Sequence, residues 1–166
     1  MSTVKRQIVE AGAGCGKTTR LVNRYIEALG NSQRGFRSLK NIWALTFTEE
    51  AAKEMKQQGT GGSILFMSSV VGHQAHKNLA AYAITKAGLE MLAKNLVIEL
   101  SPFHINVNAI APGATLTERT LEDNEYTKTW SRITPLGKPA STDDIANAAL
   151  FLVSPGAKHI TGQSLI

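Results

Sequence analysis

The sequence predicts an α/β fold of three layers, a mostly parallel sheet with helices on both faces. Three observations carry that expectation. Short apolar or β-rich runs at 4–10, 41–47, 63–67 and 104–111 alternate with segments of helical periodicity. Glycine-rich breaks at 11–16, 59–62 and 112–113 fall at the ends of these runs. The 166 residues, 43% hydrophobic and 19% charged, are those of one globular α/β domain, 1–166, without a low-complexity segment.

Val4 to Glu10 (VKRQIVE) is a short strand leading into AGAGCGKTT at 11–19. Leu21, Val22, Tyr25, Ile26 and Leu29 then keep to one helical face, and Gly30 stops that helix. After a basic loop at 30–40, NIWALTF at 41–47 reads as a buried strand, and Thr48 caps a short helix with Glu49 and Glu50 in its first turn. GTGG at 59–62 breaks the chain before the strand SILFM at 63–67 and a polar turn from Ser68 to His76. Leu89, Leu92, Ala93, Leu96 and Leu100 mark one face of a long helix from Leu79 to Leu100, ended by Ser101 and Pro102. HINVNAIA at 104–111 alternates as a strand closed by Pro112-Gly113. The polar segment 114–140 has room for one or two short helices. Ser141 or Thr142, with Asp143 and Asp144, begins a last helix over about 143–153, and Gln163 to Ile166 starts a final strand.

Composition excludes several classes. Apolar stretches are interrupted well short of the roughly 20 residues of a membrane span, and MSTVKR at the start leads into no secretory core. The expected location is the cytoplasm, with no membrane partner. One cysteine, Cys15, forms no internal disulfide, and with His73, His76, His104 and His159 it makes no ligand-spaced metal set. The net charge of +5 is concentrated: residues 1–58 hold ten Lys/Arg against five Asp/Glu, and residues 59–166 eight against eight. That basic first third, with Arg20, Arg24, Arg34, Arg37 and Lys40, implies weak, salt-sensitive nucleic-acid binding at most.

A glycine-rich turn between a strand and a helix directs successive backbone N–H groups at one point, where the helix N-terminus adds positive potential. Gly12, Gly14 and Gly16 let the backbone close round a phosphate, Lys17 supplies an ammonium, and Thr18 a hydroxyl for Mg²⁺. The first glycine of the strict motif is Ala11 here. The expected arrangement is thus P-loop/Rossmann-like, with ATP or ADP and Mg²⁺ as ligands and Thr18 at the metal. AGAGCGKTT at 11–19 and TFTEEAAKEMKQQ at 46–58 resemble the opening motifs of a superfamily 1 DNA helicase of the UvrD/RecB type. The resemblance implies that Lys17 and Thr18 meet ATP and Mg²⁺ and that Thr46, Phe47 and Thr48 lie along a nucleic-acid track.

Tyr82 and Lys86, four apart, share one helix face, where the lysine can lower the phenol's pKa. Tyr82 is then a usable general acid/base, and Ser69 at a strand end a hydrogen-bond partner for a substrate oxygen. GGSILFMSSVVG at 61–72, AAYAITKAGLEMLAKNLVIEL at 80–100, INVNAIAPGATLTE at 105–118 and the run ending at Leu165 resemble the C-terminal part of a short-chain dehydrogenase/reductase. That resemblance implies NAD or NADP as cofactor, with Ser69 orienting substrate, Tyr82 as base and Lys86 on the nicotinamide ribose. It puts Pro112, Gly113 and Thr117 beside the nicotinamide, and the outer face of 79–100 in a dimer or tetramer interface.

Together the two resemblances read as a chimera joined between Met55 and Gly61, a helicase-like segment 1–58 followed by a dehydrogenase-like segment 59–166. The function expected from them is a nucleotide-binding scaffold with little turnover, its cofactor-holding half replaced. An NAD(P)-dependent oxidoreductase using Ser-Tyr-Lys and a helicase-derived ATP-binding module are the alternatives.

Overall fold

The computed structural model describes residues 49–166. The predicted strands at 4–10 and 41–47, the glycine-rich turn and the helix after it lie outside the described residues, as does every site residue named from Gly12 to Thr18.

The described elements follow the order α1 (Glu49–Gln58), β1 (Gly62–Met67), α2 (Ala80–Leu100), β2 (Ile105–Ile110), α3 (Glu118–Leu121), α4 (Asn124–Ile133), α5 (Thr142–Val153) and β3 (Ser164–Leu165). The three strands form a parallel sheet in the order β1-β2-β3, with Gly62 opposite Ile105 and Met67 opposite Ile110. Alternate residues of a strand point to opposite faces, which divides the core in two. Ile64 and Phe66 of β1 and Ile105, Val107 and Ala109 of β2 pack with Ala52 and Met55 of α1 and Ala93, Leu96 and Leu100 of α2. On the other face Leu65 and Ile110 pack with Ala149 and Leu152 of α5. Helices therefore cover both faces of the described sheet, as the sequence predicts.

The ends of the elements have local causes. Ser141 caps α5 in a reciprocal box: its hydroxyl accepts from the Asp144 N–H, and the Asp144 side chain accepts from the Ser141 N–H at 2.8 Å. After α2 the chain makes a 3₁₀ turn over Ser101–Phe103 and reverses at His104, which has φ 58°. Gly61 turns into β1 with φ +72°, its Cα hard against the His104 carbonyl, so that an added Cβ would come within 2.7 Å of that oxygen. The alternation expected at 104–111 is present, yet both faces of β2 are covered. Asn108, 1% exposed, donates from Nδ2 to the Ile160 carbonyl at 2.8 Å and accepts from the Gln163 N–H at 3.1 Å.

Candidate active site

The carboxyl ends of β1 and β2 and the start of α2 converge on one edge of the sheet, where open parallel sheets form their ligand crevices. Past Met67, the Ser68 N–H donates to the Ile110 carbonyl at 2.7 Å and the Val70 N–H to the Pro112 carbonyl at 3.1 Å. These bonds tie the loop carrying Ser69 to the loop carrying Pro112 and Gly113. Ser69 is the N-cap of a 3₁₀ turn, Val70–Gly72, and its hydroxyl accepts from the Val71 N–H at 3.5 Å.

Tyr82 and Lys86 stand one turn apart in the first half of α2. The Lys86 ammonium lies 5.3 Å from the centre of the Tyr82 ring and donates to the Met67 carbonyl at 2.8 Å. The backbone end of β1 thus holds the cation against the phenol ring. Tyr82 is 46% exposed and so open to solvent at this edge of the sheet.

Pro112 and Gly113 close β2 at this same edge. Thr117 plays a local part: its hydroxyl caps α3 by accepting from the Thr120 N–H at 3.4 Å, and its own N–H donates to Thr120 Oγ1 at 2.6 Å. Behind this edge lies a buried group that the sequence pattern does not single out. Glu90, 6% exposed, accepts from Ser68 Oγ at 2.5 Å on one oxygen and from His73 Nε2 at 2.6 Å on the other. A carboxylate one turn beyond Lys86, on the stripe that buries Ala93, is the signal that could have found it.

A family model described as enoyl-(acyl carrier protein) reductase matches residues 19–166. The chain is 34% identical over 145 residues to an L-rhamnose 1-dehydrogenase (NAD(P)(+)) of Azotobacter vinelandii, covering 86% of this chain and 54% of that protein. It belongs to the short-chain dehydrogenase/reductase family. The structure of an acetoin dehydrogenase from Salmonella typhimurium superposes with a TM-score of 0.62 at 39% identity, over 70% of this chain and 45% of that one. A 7α-hydroxysteroid dehydrogenase structure, solved with NADH and 7-oxo glycochenodeoxycholic acid, gives 0.63 at 39% identity, over 69% of this chain and 45% of that one. The chain spans about half the length of the curated relatives it matches.

Membership in the short-chain dehydrogenase/reductase family corrects the sequence reading in three places. Residues 19–57, assigned by resemblance to a helicase, fall inside the family model, so the chain is not a helicase–dehydrogenase chimera. The helicase, P-loop, Walker-type and ATP-binding readings go with it, as does the nucleic-acid track; Gly12, Gly14, Gly16, Lys17 and Thr18 themselves precede the matched residues and lie outside the described ones. The expectation of an idle scaffold fails too, because residues 19–62, read as mostly foreign replacement, fall inside the family match. The physical reason is that a strand, a glycine-rich turn and a helix serve both phosphate loops and dinucleotide folds, so a nine-residue motif does not separate them.

Among the described residues no group of three or more His, Cys, Asp or Glu could hold a metal ion. No described helix is long and apolar enough to cross a membrane.

Proposed function

We infer that this chain, read as one α/β domain over 1–166, acts as an NAD(P)-dependent oxidoreductase on a small ketone or aldose-like carbonyl and the matching alcohol. The observation that carries the reading is the placement of Ser69, Tyr82 and Lys86 on one sheet edge, with the Lys86 ammonium against the Tyr82 ring and anchored on Met67. The donor set fits the cofactor: an ammonium and a phenol suit ribose hydroxyls, and a hydroxyl with a phenol suits a substrate oxygen. NADH and NAD(P)⁺ also figure in the names of similar proteins.

When bound, the nicotinamide supplies or takes up a hydride. In the reducing direction Ser69 holds the carbonyl oxygen by a hydrogen bond, and Tyr82 gives its phenolic proton to that oxygen as charge builds there. Lys86 would hold the nicotinamide ribose, its ammonium donating to the ribose hydroxyls. Pro112 and Gly113, bonded through Pro112 to the Ser69 loop, would line the nicotinamide side of the site. Alcohol oxidation reverses each step, Tyr82 accepting the proton.

Calorimetric titration with NAD, NADP, ATP and ADP under identical conditions tests this assignment. Dinucleotide binding that weakens at least tenfold in Lys86→Ala is expected; ATP or ADP binding alone would refute it. A second feature belongs to the same reading. Ile84, Met91 and Ile98, exposed by 72%, 56% and 79%, recur every seven residues along the outer face of α2, a stripe that would suit pairing with a second copy.

A further inference from the structure

The geometry points to Glu90 as a positioning residue for the Ser69 loop, a role that rests on the oxidoreductase reading above. Its two carboxylate oxygens engage Ser68 and His73, which lie on either side of Ser69 in the chain. One side chain on α2 thus grips both ends of the segment that presents Ser69. Because Glu90 is one turn from Lys86 and two turns from Tyr82, the grip fixes the distance between that segment and the helix bearing the other two groups.

Three further observations support the clamp. Ser68 Oγ lies 3.1 Å from the Lys86 carbonyl oxygen, so the clamp meets α2 at the turn of the helix that carries the lysine. Gly72 packs so closely that an added Cβ would stand 3.0 Å from the Ala87 nitrogen and 3.1 Å from Glu90 Oε1. Ser68 is itself 3% exposed, so both groups of its hydrogen bond to Glu90 are shielded from water.

Burying a carboxylate is costly, and an apolar side chain of similar volume often serves stability as well or better. What the carboxylate adds is direction: hydrogen bonds admit few geometries, whereas apolar packing lets the turn slide. Reaction rates depend steeply on such placement, since small displacements of a positioning group cost orders of magnitude. Leucine at position 90 should therefore leave a folded protein with a loosened Ser69 loop.

The test compares the full chain with Glu90→Leu, Glu90→Gln and His73→Phe by amide hydrogen exchange and steady-state kinetics. In Glu90→Leu the amides of Val70, Gly72, His73 and Gln74 should exchange at least tenfold faster, while those of Ile64, Leu65 and Phe66 stay within twofold. Turnover should fall at least tenfold with the KM for NADH or NADPH within twofold. Glu90→Gln, whose Oε1 still accepts from Ser68, should recover both to within threefold. His73→Phe removes one arm at a half-exposed side chain, and should speed exchange at Gly72 and His73 at least threefold even if Glu90→Leu fails to fold. Wild-type exchange in Glu90→Leu, or in His73→Phe where the former does not fold, overturns the inference. So does a glutamine variant as damaged as the leucine one, or a rise in KM at constant turnover. A wild-type chain without turnover would count against the oxidoreductase reading, and the exchange rates would then decide the role of Glu90 alone.

Discussion

The Lys86 ammonium faces the Tyr82 ring at 5.3 Å and is held there by the Met67 carbonyl at 2.8 Å. The cation is thus placed by backbone at the partly buried end of β1, whose interior residues Ile64, Leu65 and Phe66 are buried. Replacing Lys86 by Met keeps the aliphatic stem and removes the charge. Turnover should fall by about two orders of magnitude or more, in the range lost with a positioned proton-transfer group. Steady-state rates of Lys86→Met against the unmodified chain check this.

Gly61 offers a test of the sheet entry. It combines φ +72° with a site where a Cβ would lie 2.7 Å from the His104 carbonyl oxygen. Alanine there must change the backbone and displace a neighbouring carbonyl, so the expected loss exceeds about 1 kcal/mol. Urea titrations of Gly61→Ala and of Gly59→Ala, where φ is also positive but nothing lies within 4 Å, separate clash from conformational strain. Gly61→Ala should be the more destabilised.

The cap of α5 predicts a pH dependence. The Ser141 side-chain and backbone hydrogen bonds hold the Asp144 carboxyl below its ordinary value of 3.8. A depressed folded pKa means the cap's contribution is fully present above that ordinary value and is lost as the pH falls through the folded one. The difference in urea midpoint between the unmodified chain and Asp144→Asn should therefore shrink between pH 7 and strongly acid solution. A constant difference would contradict the assignment.

How legible these features were depends on the range of the interaction that makes them. The long helix was readable from Leu89, Leu92, Ala93, Leu96 and Leu100, because helical periodicity is written in neighbouring residues, and the α5 cap from Ser141 and Asp144 for the same reason. Ser69, Tyr82 and Lys86 were found through their resemblance to a family motif; spacing alone linked only the last two. The Glu90 clamp was not found, since His73 and Glu90 meet across two elements and neither residue is unusual locally. Nor did periodicity foretell that Asn108 would be buried, because its partners, Ile160 and Gln163, approach from the far end of the chain. The glycine-rich motif misled because a glycine-rich stretch ahead of a helical pattern is a sequence signal common to several folds.

The outer face of α2 predicts self-association. Ile84→Asp together with Ile98→Asp places two charges on the exposed apolar stripe while leaving the buried residues Ala93, Leu96 and Leu100 untouched. Light scattering should show a dimer or larger assembly for the unmodified chain and a monomer for the double variant. An unmodified chain that is monomeric at high concentration would rule out this interface.

The most direct measurement is the near-ultraviolet absorbance of NADH and NADPH during incubation with a panel of small ketones and aldose-like carbonyls, run beside Tyr82→Phe. The phenylalanine ring keeps the packing but has no proton to give. Steady cofactor oxidation by the unmodified chain, reduced about a hundredfold or more in the variant, is the predicted result. Equal rates in both proteins, or no oxidation with any carbonyl by a chain that binds the cofactor, would contradict the assignment of Tyr82 as the proton donor of an oxidoreductase.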